Sequence, residues 1–569
     1  MSGFAPYQIL TAAELNASLA AANAVTATER ARALAAEALL APPTLTATGS
    51  TTPRTLADRF ADIGNLRDWG VVGDGVTDNY AAIQGGINEM AAGGGGIVYL
   101  PPAGNAYLIS HGLTIPAGVR LLGAGTCDML GFNQTPASWA VKGSWLLSID
   151  LVNPTVTLAA SGGVIEGINF VRNQVVPTTG TYSPTTFPYE ILMAGDYCGI
   201  ENVQMQGGTH GINIDFGPSG GGVGCYVRNA QIGTLVRGLR TDNANDVIRL
   251  DNIHVRTLWY ILNTSLLAFL NTALVGWDCH YTDNPIVNGF EVLFGSQAIF
   301  FTDGTCGGIT HSLYNGAIDG FQFNLSAVLM EVAASTTTVR AKFANSTMQT
   351  PSGVVDHALI LTSDNIDILF ANTKVNGCNT VFMDLGAGVG GVVHFTGLDL
   401  VWNNAGLGVS AFSLAAGSTL VMSGTRLAPL GNPGPVWTGA GSDTVMTDKY
   451  GCFQPFVSIA AVATFTGISA NQDVTLDCPT NPILRGATQG RLRGSVYIAT
   501  PQTGGLLAFQ LDSFNEIYVG HIAAAAVGWQ NFDSGWINFT SAANPLGRVR
   551  GNANTGVVYS FGALAVEYR

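Results

Sequence analysis

The chain has 569 residues, only 11% of them charged, with a formal net charge of −14 and 72 glycines. That acidity argues against nucleic acid as a partner, because binding phosphate needs clustered Lys and Arg. No apolar run approaches the roughly 18 residues that cross a bilayer, so no membrane span is expected. The N-terminus also lacks the basic, apolar and small-residue order of a cleaved signal peptide, so synthesis without one is expected.

Residues 1 to 41 are Ala-rich and read as helical. Thr11-Ala12-Ala13-Glu14 and Thr26-Ala27-Thr28-Glu29 both fit the capping box, in which hydroxyl and carboxylate satisfy the first backbone N–H groups. Pro42 and Pro43 should stop the second helix, and Thr52-Pro53 should open a short one over Leu56 to Phe60. These small Ala and Leu faces are too weak to fold alone, so pairing with copies of themselves or with another particle component is expected.

A more specific signal follows: Leu66-Arg67-Asp68-Trp69-Gly70-Val71-Val72-Gly73-Asp74-Gly75-Val76-Thr77-Asp78, then Ala82-Ile83-Gln84, the strand Ile97-Val98-Tyr99-Leu100-Pro101, and Gly118-Val119-Arg120-Leu121-Leu122-Gly123. Thr77 or Asp78 should cap a helix over Tyr80 to Met90, which can cover the unpaired edge of a first coil; Asp74 and Asp78 read as turn and cap residues. This segment closely resembles the opening of the pectate-lyase-like superfamily as found in bacteriophage tailspikes. The resemblance implies a right-handed parallel β-helix, a homotrimer, a place in the virion tail, attachment to a tail or baseplate protein through residues 1–60, and host surface polysaccharide as the partner.

The middle of the chain repeats. A pattern of apolar, any, Asn or Gly, any, polar, apolar recurs with its central residue at 167, 202, 229, 252, 271, 295, 320, 345, 372, 397 and 424. A period of this length marks a solenoid, in which each repeat is buried by its neighbours. Asn and Gly tolerate a left-handed turn best; positions one and six are apolar and should point inward, and two and five outward. Three short strands per turn make a parallel β-helix, and no helical period is evident. After about residue 430 the register ends and alternating strands suggest a β-sandwich. Its Trp529, Phe532, Trp536 and Phe539 read as core, with stacking on sugars as the alternative. The expected organisation is 1–62 helical attachment segment, 63–435 β-helix and 436–569 C-terminal β-rich domain.

The eight cysteines, at 127, 198, 225, 279, 306, 378, 452 and 478, have no zinc or redox spacing. They read as buried free thiols, and neither metal nor cofactor is expected. Five arginines, at 228, 237, 240, 249 and 256, crowd into one stretch. They either balance local Asp residues or form a groove for acidic sugars.

The register also picks out acids. Asp215 and Asp242 each lie 13 residues past a central Asn, after alternating strands. They should occupy one outward column on adjacent coils, about 4.8 Å apart. Carboxylates that close share a proton and supply acid and base, and the spacing approaches the roughly 5 Å of retaining glycosidases. Asp246 can replace either, and Arg240 can bind an acidic sugar. Trp277, Asp278, His280 and Tyr281, with Asp283 and Glu291 beyond, read as a second acidic cluster in a longer turn, and His254 as an outward polar contact. The function expected is depolymerisation of host capsule, exopolysaccharide or lipopolysaccharide, by hydrolysis. The alternatives are a non-catalytic adhesin of the same shape and a polysaccharide lyase.

Overall fold

The computed structural model describes residues 11–404 apart from 40–43, 47, 56–57, 60–61, 126–142, 258–262, 303–304, 307–308, 311–312, 334–337, 350–356, 363–364, 379–380 and 386–390, and beyond 404 the strands between Phe412 and Tyr568. It divides into two compact units, Met1–Gly64 and Asn65–Arg569.

In the first unit Ala12–Leu39 is one continuous helix. The Thr11 capping box forms: Thr11 N donates to Glu14 Oε2 at 2.8 Å and Glu14 N to Thr11 Oγ1 at 3.3 Å. The second expected box does not form. Thr26 and Thr28 donate their hydroxyls back to the Ala22 and Ala24 carbonyls, the local bond a mid-helix threonine makes, so the chain never breaks there. Pro53–Thr55 is a strand paired antiparallel with Thr44–Thr46 rather than the first turn of a helix. Pro42, Pro43, Leu56, Ala57 and Phe60 lie outside the described residues.

The second unit is a right-handed parallel β-helix. Its core is stacked columns of apolar side chains from successive coils. One column runs Val98, Leu121, Ile165, Ile200, Val227, Leu250 and Val287, every pair in parallel register and every residue buried. Farther along, aromatic rings stack in the interior, with centroids 5.3 Å apart for Trp277–Phe290, 5.2 Å for Phe290–Phe321, 5.0 Å for Phe343–Phe370 and 4.9 Å for Phe370–Phe395. Contacts in this range add to area burial.

The central residues are left-handed as the pattern demands: φ is 66° at Gly167, 51° at Asn202, 50° at Asn229, 55° at Asn252, 51° at Asn345 and 52° at Asn372. Their amides form a ladder, Asn229 Nδ2 donating to Asn202 Oδ1 at 3.0 Å and Asn252 Nδ2 to Asn229 Oδ1 at 2.9 Å. Two assignments of the repeat were wrong. Gly289, with φ 68°, takes the turn after Asn252, since Asn252 flanks lie opposite it in the register Leu250↔Val287 and Ile253↔Phe290. Asn271 instead lies in the helix Thr264–Ala273, and Gly295 is not a turn of this kind. That helix is capped by Asn263, whose Oδ1 accepts from Ser265 N and Leu266 N, and it buries Leu266 and Leu270. The coil between Asn252 and Gly289 is therefore long, and residue 424 lies outside the described residues.

A second insertion, residues 172–188, packs against this helix: Tyr182 meets Phe269 edge-on at 5.6 Å, and Asn263 Nδ2 donates to the Pro177 carbonyl at 3.2 Å. It begins and ends on a buried ion pair, Arg172 Nε to Glu190 Oε1 at 2.9 Å. The other guanidinium nitrogens of Arg172 donate to Ser148 Oγ, the Ser148 and Asp150 carbonyls and Thr155 Oγ1.

At the start of the β-helix, Tyr80–Ala92 is helical and packs Ile83, Gly86, Ile87 and Met90 inward. A Cβ on Gly86 would fall 2.8 Å from the Leu66 Cδ2 methyl, so a larger residue there would require the Leu66 side chain to shift. The N-cap position is taken by Asn79, whose side chain makes no capping bond, rather than by Thr77 or Asp78: Asp78, one residue earlier, accepts from Tyr80 N through Oδ1, and Thr77 gives its hydroxyl to Asp74. Asp74 collects that bond and two backbone N–H groups, which hold its carboxyl down at about 2. Cys198, Cys225 and Cys279 are buried free thiols. Cys127, Cys452, Cys478, Trp536 and Phe539 lie outside the described residues. The strands between Val457 and Tyr568 form two antiparallel sheets. Among the described residues no helix is long and apolar enough to cross a membrane.

Replacing Asn229 separates turn from ladder. Asn229→Ala should cost about 1–2 kcal/mol for the left-handed backbone and about 1 kcal/mol more for the amide bond. Asn229→Gly should cost only the latter. Equal losses in thermal unfolding of the two variants would show that the turn conformation is not what the position selects for.

Candidate functional site

The strands His210–Asp215, Arg237–Asp242 and Val275–Cys279 lie side by side in one parallel sheet on successive coils. Their register pairs Asn213 with Arg240 and Arg240 with Asp278, and it pairs Asp215 with Asp242. Leu239, Thr241, Trp277 and Cys279 alternate with these and are buried. Arg240 and Asp242 thus take the outward positions of their strand, but Asp242 is only 7% exposed, covered by its neighbours rather than open to solvent.

The guanidinium of Arg240 sits between the two carboxylates. Its Nη1 reaches Asp215 Oδ2 at 3.1 Å and Asn213 Oδ1 at 3.2 Å, and its Nη2 reaches Asp242 Oδ2 at 2.6 Å. Asp215 Oδ1 also accepts from Gly217 N and Asn243 Nδ2, and Asp242 Oδ1 from Asn243 N. Burial pushes the Asp215 carboxyl up, but Gly217, Asn243 and Arg240 more than reverse it, so its pKa lies below the ordinary carboxylate value. Asp215 is therefore not the carboxylate of the pair whose proton affinity is raised. A cation placed between two like charges removes the repulsion that would raise it. Burial likewise opposes the charge on Arg240, and Asp242, Tyr189 and Asp215 outweigh it, raising its pKa.

Asp278 is not in a turn. It stands in the strand Val275–Cys279, nearly inaccessible, and pairs with Arg237 at 2.9 Å and with His280 Nε2 at 3.3 Å. His280 N donates to the Thr241 carbonyl, next to Asp242. Asp278 and His280 of the second acidic cluster thus join the Asp215–Asp242 patch, whereas Glu291 does not. Trp277 is the correction in the other direction: it is buried in the core, its ring stacked on Phe290 and its Nε1 donating to Thr241 Oγ1 at 3.0 Å, so it offers no surface to a ligand. Tyr281 gives its carbonyl to Ala244 N beside the same sheet. Asp246 turns back on its own backbone, accepting from Val247 N at 2.6 Å, and no hydrogen bond joins it to Asp215 or Asp242.

His254 and Glu291 belong to a different sheet of the same coils. His254 Nδ1 lies 2.6 Å from Glu291 Oε2 and its Nε2 2.7 Å from Asn252 Oδ1. The five arginines do not form one groove. Arg237 and Arg240 face the patch described above, Arg228 reaches Asp251 at 3.4 Å in another column, and Arg256 comes within 3.7 Å of Glu291 in a third.

Sequence reasoning did not single out Tyr189, His210, Asn213 and Asn243. His210 pairs with Arg237 in the register and with Tyr189 on its other side, the two rings 5.0 Å apart. Burial lowers the His210 pKa and pushes Tyr189 up to about 12, leaving both neutral hydrogen-bonding groups. The offset that found Asp215 would have found them, since His210 and Arg237 each stand eight residues past a central Asn.

Residues 63–255 match the family model described as Rhamnogalacturonase A/epimerase, pectate lyase-like. Over 80 residues the chain is 39% identical to the tail spike protein of Shigella phage Sf6, a stretch covering 14% of this chain and 13% of that one. Over 68 residues it is 48% identical to mannuronan C5-epimerase AlgE2 of Azotobacter vinelandii, covering 11% of this chain and 7% of that one. The chain thus spans a small fraction of the curated relatives it matches. Among solved structures, a tailspike protein of E. coli bacteriophage HK620 aligns with a TM-score of 0.46 at 12% identity, over 92% of this chain and 97% of that one.

The lowered Asp215 pKa has a signed consequence. Its contacts stabilise the fold above the unfolded carboxylate value of about 4, and that contribution is lost as pH falls through the lower folded value. Asp215→Asn should therefore melt earlier than the parent at neutral pH, and the gap should close on acidification below about pH 4. A gap that persists undiminished into strong acid would mean that Asp215 carries no such linkage.

Proposed function

We propose that this chain, whose residues 63–255 match a pectate-lyase-like family model, is a bacteriophage tailspike that binds and depolymerises a surface polysaccharide of its host. The observation that carries the reading is the Asp215–Arg240–Asp242 arrangement on the outward face of stacked coils, joined by Arg237, Asp278 and His280. A glycan is long and polar, and a flat file of outward side chains gives it a track with charged groups held in place. The tail spike and mannuronan epimerase similarities support a glycan as the ligand. In this reading residues 1–62 attach the spike to the virion and pair with two further copies, and residues 436–569 form a C-terminal domain that assists assembly or binding.

Hydrolysis is the reading the paired carboxylates favour. Strands on adjacent coils lie about 4.8 Å apart, near the separation of a retaining pair. Asp215, kept ionised, takes the nucleophile or base role. Asp242, on the adjacent coil, takes the acid role at the leaving oxygen.

A second reading, elimination or epimerisation at a uronate, is favoured by one feature. Arg237 and Arg240 both stand in the patch, held against Asp278, Asp215 and Asp242, and a sugar carboxylate that displaced one of these partners would be neutralised by a guanidinium, which makes its α-proton removable. A non-catalytic adhesin of the same shape would use the same contacts without turnover.

Asp242→Asn should abolish depolymerisation of the host polysaccharide while glycan binding persists, and it should melt somewhat earlier than the parent because Arg240 loses one of its two carboxylates. New reducing ends without ultraviolet absorbance identify hydrolysis, and absorbance of an unsaturated sugar identifies elimination. Full activity in Asp242→Asn would remove this residue from the chemistry.

A further inference from the structure

On the coils that carry the charged patch, but on a different sheet, lies a cleft of about 120 Å³ lined by Gln204, Gln231, His254 and the amide ladder of Asn202, Asn229 and Asn252. Gln204, Gln231 and His254 form one outward column, in register across the strands Gly199–Gln206, Tyr226–Gly233 and Arg249–Arg256. Asn229 and Asn252 are exposed, so the cleft opens to solvent along the ladder. Gln204 is different. It is only 2% exposed, yet its Nε2 has no hydrogen-bond partner. Two residues on, Gln206 is 1% exposed with neither amide atom bonded, and the next coil offers only Gly233 opposite it.

A buried amide left unpaired costs about 1–3 kcal/mol, and nearly all buried polar groups in folded proteins are satisfied. An unpaired amide at the back of a solvent-connected cleft is therefore a bond waiting for an incoming group. The geometry points to a binding site for one uncharged sugar unit in this cleft, separate from the Asp215–Asp242 patch. The lining is all amide and imidazole apart from the Val203 backbone position, and amides offer a donor and an acceptor each, which suits neighbouring hydroxyls. The arginines nearby are committed to acids, Arg228 to Asp251 and Arg256 to Glu291, so no cation is directed at an acidic substituent. A water molecule needs about 10–15 Å³ of comparable space, so the cleft holds many waters, the scale of a single pyranose ring.

The inference rests on the reading of the chain as a glycan-binding spike. With two faces of the same coils engaged, the patch would handle the charged or scissile unit and the cleft would hold a neutral one.

Saturation-transfer NMR on the full chain, with glucose, galactose, N-acetylglucosamine and glucuronate as probes, tests the site. At least one uncharged probe should give signal, and Gln204→Leu and Gln231→Ala should each lose it. Gln204→Leu should melt no earlier than the parent, because an apolar side chain of similar shape removes an unpaired buried amide. Asp242→Asn should keep the signal, and depolymerisation, read in a separate assay, tells failure of this site from failure of the spike reading. Earlier melting of Gln204→Leu, signal retained in both glutamine variants, preference for glucuronate, or no signal from any uncharged probe would each overturn the assignment.

Discussion

Every outward feature of this β-helix is placed by the register of one coil on the next, and that register is fixed at the Asn or Gly turns. A positive φ there lets two short strands meet at a sharp corner, and the amides of Asn202, Asn229 and Asn252 pass a hydrogen bond from coil to coil. A slip of one residue would break the amide ladder and turn every apolar side chain outward. Asp215 can meet Asp242, and Asn213 can meet Arg240, only because the corner residues beneath them are already aligned.

The charged patch is held by its own neutrality. Arg240 lies half-hidden between two carboxylates, and Arg237 takes a third on Asp278. Partly buried charges persist when geometry and hydrogen bonds compensate the lost water, and here backbone N–H groups and the Asn243 amide supply the remaining contacts. An arriving ligand would meet a surface whose charges are already oriented. It would have to compete with internal partners for them, which favours polyvalent ligands over single sugars.

The fold was legible because its period is written in residue types with a backbone reason. Isoleucine, valine and phenylalanine at the first and sixth positions and asparagine at the third were enough to place Asp215 beside Asp242. Legibility failed where an insertion broke the period. Asn271 fits the pattern by spacing, but Asn263 followed by Leu266 and Leu270 is a helix start with a buried face, and the true corner is Gly289. That slip moved Trp277, Asp278 and His280 into an imagined turn, hiding a core aromatic and two members of the patch. The bridging position of Arg240 was out of reach for a different reason. The sequence puts it in the right column, but which carboxylate its side chain meets depends on three-dimensional reach.

The ion pair between Arg172 and Glu190 closes the base of the 172–188 insertion with both partners sealed from water. Cutting the loop there would strand an uncompensated charge, a penalty of about 3–5 kcal/mol. Side chains along the outer files, or at the tip of this excursion, are therefore freer to vary than the excursion is to be exchanged whole. Grafting in a foreign segment would succeed only if both anchors travelled with it, so diversification at this point of the β-helix should proceed by cassette.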